Sequence, residues 1–61
     1  MIRWAFLQDE IPKFGSGWRR IEVLKKGWKW VRLRNPANGK IARIARRKWN
    51  PIEARLQEKP G

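Results

Sequence analysis

Four residues at alternate positions in the middle of the chain have side chains that suit a binding surface. They are Trp28, Trp30, Arg32 and Arg34. Side chains at every second position of an extended strand share a face, so these four are expected on one face and Lys29, Val31 and Leu33 on the other. An indole offers a flat surface for stacking, and an arginine offers contacts to phosphates or bases. The alternation therefore predicts a strand with an aromatic, cationic face.

A second group of cations follows this segment and is expected to join the same surface. It comprises Arg43, Arg46 and Arg47. The predicted strand pairing places Arg43 opposite Arg32, where two like charges repel unless an anion lies over them. A run of three cations follows at Arg46, Arg47 and Lys48. Such a run is more often a solvated surface or a general polyanion-binding patch than a site that recognises a specific nucleotide sequence. With the four residues above, these three arginines complete the predicted nucleic-acid-binding set.

The chain offers little for catalysis or metal binding. It contains no His, Cys, Tyr or Thr, and Ser16 is its only hydroxyl. Disulfides and metal sites built from thiolates or imidazoles are therefore excluded. Asp9 and Glu10 are neighbours whose side chains point apart in an extended chain, and one such pair falls far short of a catalytic site. We expect no enzymatic activity, no catalytic residue, no metal site and no cofactor.

The charge of the chain is strongly unbalanced. In 61 residues, 16 Lys and Arg stand against 5 Asp and Glu, for a net charge of +11. Residues 11–49 hold thirteen of the cations and a single acid, Glu22. Such a segment attracts polyanions, so DNA or RNA is the first expected partner and an acidic protein surface the second. With no apolar stretch near the roughly 20 residues of a membrane span, we expect no membrane binding and a cytoplasmic location.

The length of the chain predicts one small basic domain over residues 1–61. A domain of this size buries only about 60% of the surface that its unfolded chain exposes, so aromatic side chains are expected to supply much of the core. Trp4, Trp18 and Trp49 are expected to be core or barrel-closing side chains rather than ligand platforms. For Trp28 and Trp30, an exposed binding role and structural burial are equally open.

Turn residues divide the chain into short strands. Ile2, Trp4 and Phe6 alternate with Arg3, Ala5 and Leu7, which predicts an N-terminal strand, and DEIPKFGSG follows as a loop. Residues 18–25 form the next predicted strand. Lys26 and Gly27 then predict a three-residue hairpin loop that ends in a left-handed glycine, with Ile21 opposite Val31 and Glu22 opposite Trp30.

The sequence NPANG at residues 35–39 predicts a second, four-residue hairpin loop. Pairing Asn35 with Lys40 sets the register of the two strands that it joins. The resulting pairs are Trp30 with Ala45, Val31 with Ile44, Arg32 with Arg43, and Leu33 with Ala42. Residues 40–49 also fit a helical stripe, but the hairpin loop and the aligned apolar faces favour a strand.

A short helix is predicted at the C-terminal end. Asn50 is a suitable cap, Pro51 suits the first helical position, and Glu53 completes a variant of the capping box. The helix is expected to run from Pro51 to about Gln57 and to dock on the sheet through Ile52, Leu56 and Trp49, since so short a helix is marginal in water.

These elements predict a mainly-β domain, either a small SH3-like barrel or a three-stranded antiparallel meander with a short C-terminal helix. Over residues 19–56 the chain resembles the SH3-like small barrels in architecture and charge, including the small basic archaeal chromatin proteins. Their twisted three-stranded face lies on duplex DNA, and the resemblance implies the face of Trp28, Trp30, Arg32 and Arg43. This chain has far more Trp and a shorter C-terminal helix than that family.

The leading expectation is a non-catalytic nucleic-acid-binding protein with limited sequence specificity. The alternative is a small cationic interaction module or inhibitor that docks on an acidic protein, since exposed Trp and Arg are also the residues of protein interface hot spots. A third possibility, association with ribosomal or other structured RNA, shares the physics of the first.

Overall fold

A computed structural model describes residues 2–58, which form one antiparallel sheet and one helix. The elements are β1 (Ile2–Gln8), β2 (Ser16–Lys26), β3 (Trp30–Arg34), β4 (Ile41–Ala45) and α1 (Arg46–Ala54). The strands lie in the order β1-β2-β3-β4 in a single open sheet. The prediction of a mainly-β domain with a short C-terminal helix is therefore confirmed, and β1 extends the predicted three-stranded meander to four strands.

One face of the sheet, the inner face, forms the hydrophobic core with the helix. Alternate residues of the strands supply its apolar side chains, which include Val31 and Leu33 of β3, both fully buried. Trp49 and Ile52 of α1 cover them and are also buried. Burying an indole removes a large apolar area from water, so Trp49 is a principal source of stability in a chain of this length. The assignment of Trp49 to the core is thus correct.

The β3–β4 hairpin has the predicted register at every pair. Trp30 lies opposite Ala45, and Arg32 opposite Arg43, with the other predicted pairs likewise in place. Asn35 closes the loop, because its backbone N–H donates to the Lys40 carbonyl at 2.8 Å and its Oδ1 accepts the Ala37 N–H at 3.0 Å. Gly39 ends the loop with a left-handed φ of 73°, which glycine adopts without strain.

The predicted register of the β2–β3 hairpin is wrong. Glu22 lies opposite Arg34 and Val31 opposite Lys26, and the register shifts between Val23 and Lys25. One extra residue, Leu24, stands in β2 at that shift, which is a β-bulge, and β2 continues to Lys26. The strands are joined by residues 27–29, in which the glycine does not take a left-handed conformation.

The predicted boundary between the last strand and the helix is also wrong. The strand ends at Ala45 and the helix begins at Arg46, so residues 46–49 are helical. Asn50 and Pro51 consequently lie inside α1 rather than at its start, and Asn50 Oδ1 accepts a hydrogen bond from Arg46 Nε at 3.1 Å. Two contacts to residues 27–29 fix the start: the Arg46 N–H donates to the Lys29 carbonyl, and Arg46 Nη1 donates to the Gly27 carbonyl.

After α1 the chain returns to the outer edge of β1. The Trp4 N–H donates to the Gln57 carbonyl at 2.6 Å, and the Gln57 N–H donates back to the Trp4 carbonyl at 2.8 Å. Nearby, Arg55 forms an ion pair with Glu10. The helix therefore starts from β4 at one edge of the sheet, and the segment that follows it pairs with β1 at the other edge.

Candidate nucleic-acid interface

The second face of the sheet, the outer face, is rich in cations. Because directly paired residues share a face, the strand registers place Lys25, Arg32 and Arg43 side by side across β2, β3 and β4. Trp30 and Ala45 form the next pair beyond them. Arg32 and Arg43 are both exposed, so the predicted cross-strand arginine pair is present and open to solvent.

Two tryptophans stand at the end of this cationic row. Trp30 begins β3 and its side chain is 45% exposed, whereas Trp28 lies in the preceding loop and is 87% exposed. The backbone and guanidinium of Arg46 hold that loop against the start of α1 through the two hydrogen bonds to Lys29 and Gly27. Trp28 therefore projects from an anchored loop rather than from the predicted strand.

Trp28 and Trp30 together line two open hollows. The first, of about 260 Å³, lies on the side of the sheet, and the second, of about 400 Å³, lies on the side of α1. The cations of the first are Lys25, Lys29, Arg32 and Arg43, and those of the second are Lys29, Arg46 and Arg47. Neither hollow is lined by an acidic side chain. We refer to this pair of hollows as the tryptophan site.

Two cations of the tryptophan site lie close to its indoles. The Arg43 guanidinium lies over the Trp30 ring at 4.7 Å from its centroid, and the Lys29 ammonium is 6.0 Å from the centroid of Trp28. A cation over an indole is attracted by the negative face of the ring. These contacts keep positive charge beside aromatic surface, which is the arrangement needed to bind a phosphate and a base together.

Most of the predicted site residues meet at the tryptophan site, but two have other partners. Arg34 Nε lies 3.1 Å from Glu22 Oε1 in an ion pair on the outer face, and Arg34 lines neither hollow. Arg46 lines the second hollow, yet its guanidinium is already hydrogen-bonded to Gly27 and Asn50. Arg47, by contrast, is exposed at the first turn of α1.

Lys25 and Lys29 belong to the tryptophan site although neither is among the predicted binding residues. Lys29 alternates with the tryptophans and was expected on the opposite face, which holds only inside a strand. Lys25 reaches the outer face because the bulge at Leu24 shifts the register by one residue. Alternation at every second residue does not show that a residue lies in a loop or next to a β-bulge, so no signal in the sequence identified Lys29 or Lys25 as site residues.

Among the described residues, three acidic side chains form ion pairs, and none of them lines either hollow of the tryptophan site, although Glu10 lines a neighbouring hollow together with Trp30 and Arg43. Glu22 pairs with Arg34, Glu10 with Arg55, and Glu53 with Lys26. The Lys26 ammonium, which donates to Glu53 at 2.9 Å, lowers the pKa of that carboxyl below its ordinary value. Partial burial acts in the opposite direction, and the Trp49 indole N–H, which donates to the same carboxylate, adds to the lowering.

Comparison of the chain with protein-family models, with curated proteins and with solved structures found no match. Among residues 2–58, no helix is long and apolar enough to cross a membrane, and no group of three potential metal-ligand side chains lies together.

Proposed function

We propose that this protein binds nucleic acid without catalysing a reaction, through the basic, tryptophan-containing outer face of its sheet. One observation supports this most strongly: Trp28 is 87% exposed and shares with Trp30 two hollows that are lined by cations and by no acid. Exposing an indole forfeits the free energy of its burial, so the position suits a residue that gains its contacts from a ligand.

The two kinds of side chain act on different parts of the ligand. Lys25, Arg32, Arg43 and Arg47 are exposed cations that neutralise phosphates and release their counterions. Trp28 stacks on a base, which tolerates any base because every base has a π-face. Binding of this kind has substantial affinity and limited sequence preference.

The first expected outcome is a steep dependence of affinity on salt. If about five phosphates are neutralised, the slope of log affinity against log salt is roughly −4 to −5 on duplex DNA and −3 to −4 on a single strand. Anisotropy titrations of labelled DNA and RNA at several salt concentrations measure it. Absence of binding at low salt to every one of these ligands would refute the proposal.

The second expected outcome concerns Trp28. Trp28→Ala is expected to weaken single-strand binding by about 1 to 3 kcal/mol because a stacking surface is lost, while Trp28→Phe retains most of the affinity. Leu24→Ala is the matched control, since Leu24 is an exposed apolar side chain outside both hollows. Equal losses in the Trp28→Ala and Leu24→Ala variants would show that Trp28 has no specific role.

The alternative function, docking on an acidic protein, predicts a different result. A stoichiometric protein partner that is retained from lysate after nuclease treatment would favour it, and the same Trp28→Ala variant would then reduce recovery of that partner. Loss of all bound material on nuclease treatment favours nucleic acid.

A further inference from the structure

A second aromatic and cationic cluster lies on the same outer face, across β1 and β2. The register pairs Trp4 with Arg20 and Phe6 with Trp18. Phe6 is 47% exposed, and Trp4 and Trp18 are half-buried. The prediction that Trp4 and Trp18 belong to the buried core is therefore wrong: Ala5 and Leu7 take the inner positions of β1, and Trp18 pairs with Phe6 on the outer face.

The internal arrangement of this cluster repeats that of the tryptophan site. The Arg20 guanidinium lies 5.7 Å from the centroid of the Trp4 ring, as Arg43 lies over Trp30, and the rings of Phe6 and Trp18 meet edge to face at 5.8 Å. Both clusters thus present an indole together with the guanidinium of an exposed arginine.

An open hollow of about 450 Å³ adjoins the second cluster. Trp4, Trp18 and Arg20 line it together with Lys13 and the loop at residues 35–38. None of its lining side chains is acidic. Arg19 also lines this hollow, but its guanidinium donates to the Phe14 and Trp18 carbonyls and is therefore already hydrogen-bonded.

The surface between the two clusters does not repel a phosphate chain. Glu22 is the only acidic residue in the four strands. Its carboxylate is paired with Arg34, so its charge is neutralised where a ligand would cross. Beyond it stands the exposed row of Lys25, Arg32 and Arg43.

The separation of the clusters follows from the register. Glu22 pairs with Arg34 in antiparallel strands, so Arg20 is level with position 36, two residues beyond Arg34. Position 36 is six residues from Trp30, which is about 20 Å along the strand at roughly 3.3 Å per residue. A strand with stacked bases advances about 3.4 Å per nucleotide and a strand with unstacked bases advances further, so at most about six nucleotides are needed to span this distance.

We propose that Trp4 and Arg20 form a second base-and-phosphate subsite, so that a single strand of about six nucleotides spans the outer face from the tryptophan site to this cluster. A single strand is the occupant because its unpaired bases expose the faces on which indoles stack, whereas a duplex presents only base edges in its grooves. The inference rests on the proposed function and specifies its ligand.

A length series of oligothymidylates tests the proposal. Labelled chains of roughly 3, 6 and 12 nucleotides are titrated at one low salt concentration, with folding of each variant verified by circular dichroism. The affinity of the wild type should rise about five-fold to hundred-fold between the shortest chain and the six-nucleotide chain, as expected for one further stacked base. Arg20→Ala and Trp4→Ala should remove this gain and leave binding of the shortest chain unchanged.

Arg3→Ala is the matched control, because Arg3 is an exposed arginine of β1 that lies on the other face from Trp4 and lines neither the tryptophan site nor the second hollow. It should keep the full gain. Retention of the gain in Arg20→Ala, or equal competition by a duplex of the same length, overturns the second subsite. If Trp28-dependent binding of the shortest chain persists in that case, the proposed function still stands; if no chain binds at all, both fail.

Discussion

Residue type alone does not decide what a tryptophan does in this protein. Trp28 and Trp49 are chemically identical, yet the first is 87% exposed and the second is fully buried. The difference comes from position, since Trp28 lies in an anchored loop whereas Trp49 lies on the helix face that covers the sheet. The alternation of residues 28–34 is compatible with either exposure or burial of Trp28 and Trp30, and their exposure in the fold makes a stacking role possible.

The Glu53 carboxylate is expected to give the fold an acid-sensitive contribution to stability. Lys26 lowers its pKa in the folded state, so folding favours the ionised form. That contribution is fully present above the ordinary glutamate pKa of about 4.3 and is lost as the pH falls through the lowered folded value. Urea unfolding at pH values between about 6 and 3 should show a weaker loss of stability in Glu53→Gln than in the wild type.

Replacing the lysine that pairs with Glu53 tests the cause of this pKa shift. Lys26→Met removes the main cause of the shift, so the pKa of Glu53 should move back towards its ordinary value in an NMR titration of the carboxyl carbon. Lys25→Met alters the neighbouring lysine, which lies on the outer face, and should leave the Glu53 titration unchanged. A Glu53 pKa that is unaffected by Lys26→Met would contradict the assignment.

Among the elements, the β3–β4 hairpin was predictable in full and the β2–β3 hairpin was not. Asn35, Pro36 and Gly39 each have a turn preference with a local cause, so the loop and the register follow from neighbouring residues. In the β2–β3 hairpin, a bulge at Leu24 changes the register by one residue. Leu24 has no side-chain property that distinguishes it from a regular strand residue.

The start of α1 was unpredictable for a related reason. Asn50, Pro51 and Glu53 form a locally valid helix-start signal, and reliance on it moved the predicted start five residues downstream. The actual start depends on two hydrogen bonds that Arg46 donates to residues 27–29, seventeen or more positions earlier. Contacts across such a separation are determined by the assembled fold and leave no local pattern.

The loop at residues 35–40 should be a measurable source of hairpin stability. Asn35 is 4% exposed, and its Oδ1 is bonded to the Ala37 N–H. Asn35→Ala should lower the free energy of unfolding by about 0.5 to 1.5 kcal/mol, because the partly buried hydrogen bond from the Ala37 N–H is lost. Asn35→Asp keeps an acceptor oxygen at that position and should restore most of the loss in urea or thermal unfolding.

Asn38→Ala is the control for that loop. The Asn38 side chain accepts a hydrogen bond from the Lys40 N–H, but the bond is exposed, so water can replace it. Asn38→Ala should therefore lower the free energy of unfolding by less than Asn35→Ala does. Equal losses would mean that the buried position of Asn35 adds nothing to its role.

At the scale of the whole molecule, the net charge of +11 should oppose folding at low ionic strength. Screening of that repulsion should raise the melting temperature as potassium chloride increases from about 0.01 to 1 M, over which the Debye length falls from about 30 to 3 Å. The exposed ion pairs are screened as well, but each contributes only about 0 to 1 kcal/mol.

Two arginine variants separate repulsion from ion pairing. Arg32→Gln removes one member of the like-charged pair with Arg43, so it should raise the melting temperature at low salt and flatten its salt dependence. Arg34→Gln breaks the ion pair with Glu22 and should not stabilise the fold. A melting temperature that falls with added salt in the wild type would show that ion pairing outweighs repulsion.

The backbone pairing of Trp4 with Gln57 has a consequence for the dynamics of the outer face. Both hydrogen bonds of that pairing belong to the residue whose indole stands beside Arg20. Release of Gln57 would remove both of these hydrogen bonds from Trp4, so we expect residues 55–58 and the adjoining edge of β1 to open together in local unfolding. Gln57, near the C-terminal end of the chain, thus restrains Trp4, near the N-terminal end. The fraction of molecules in which this pairing is formed should set how far the Trp4 indole can move.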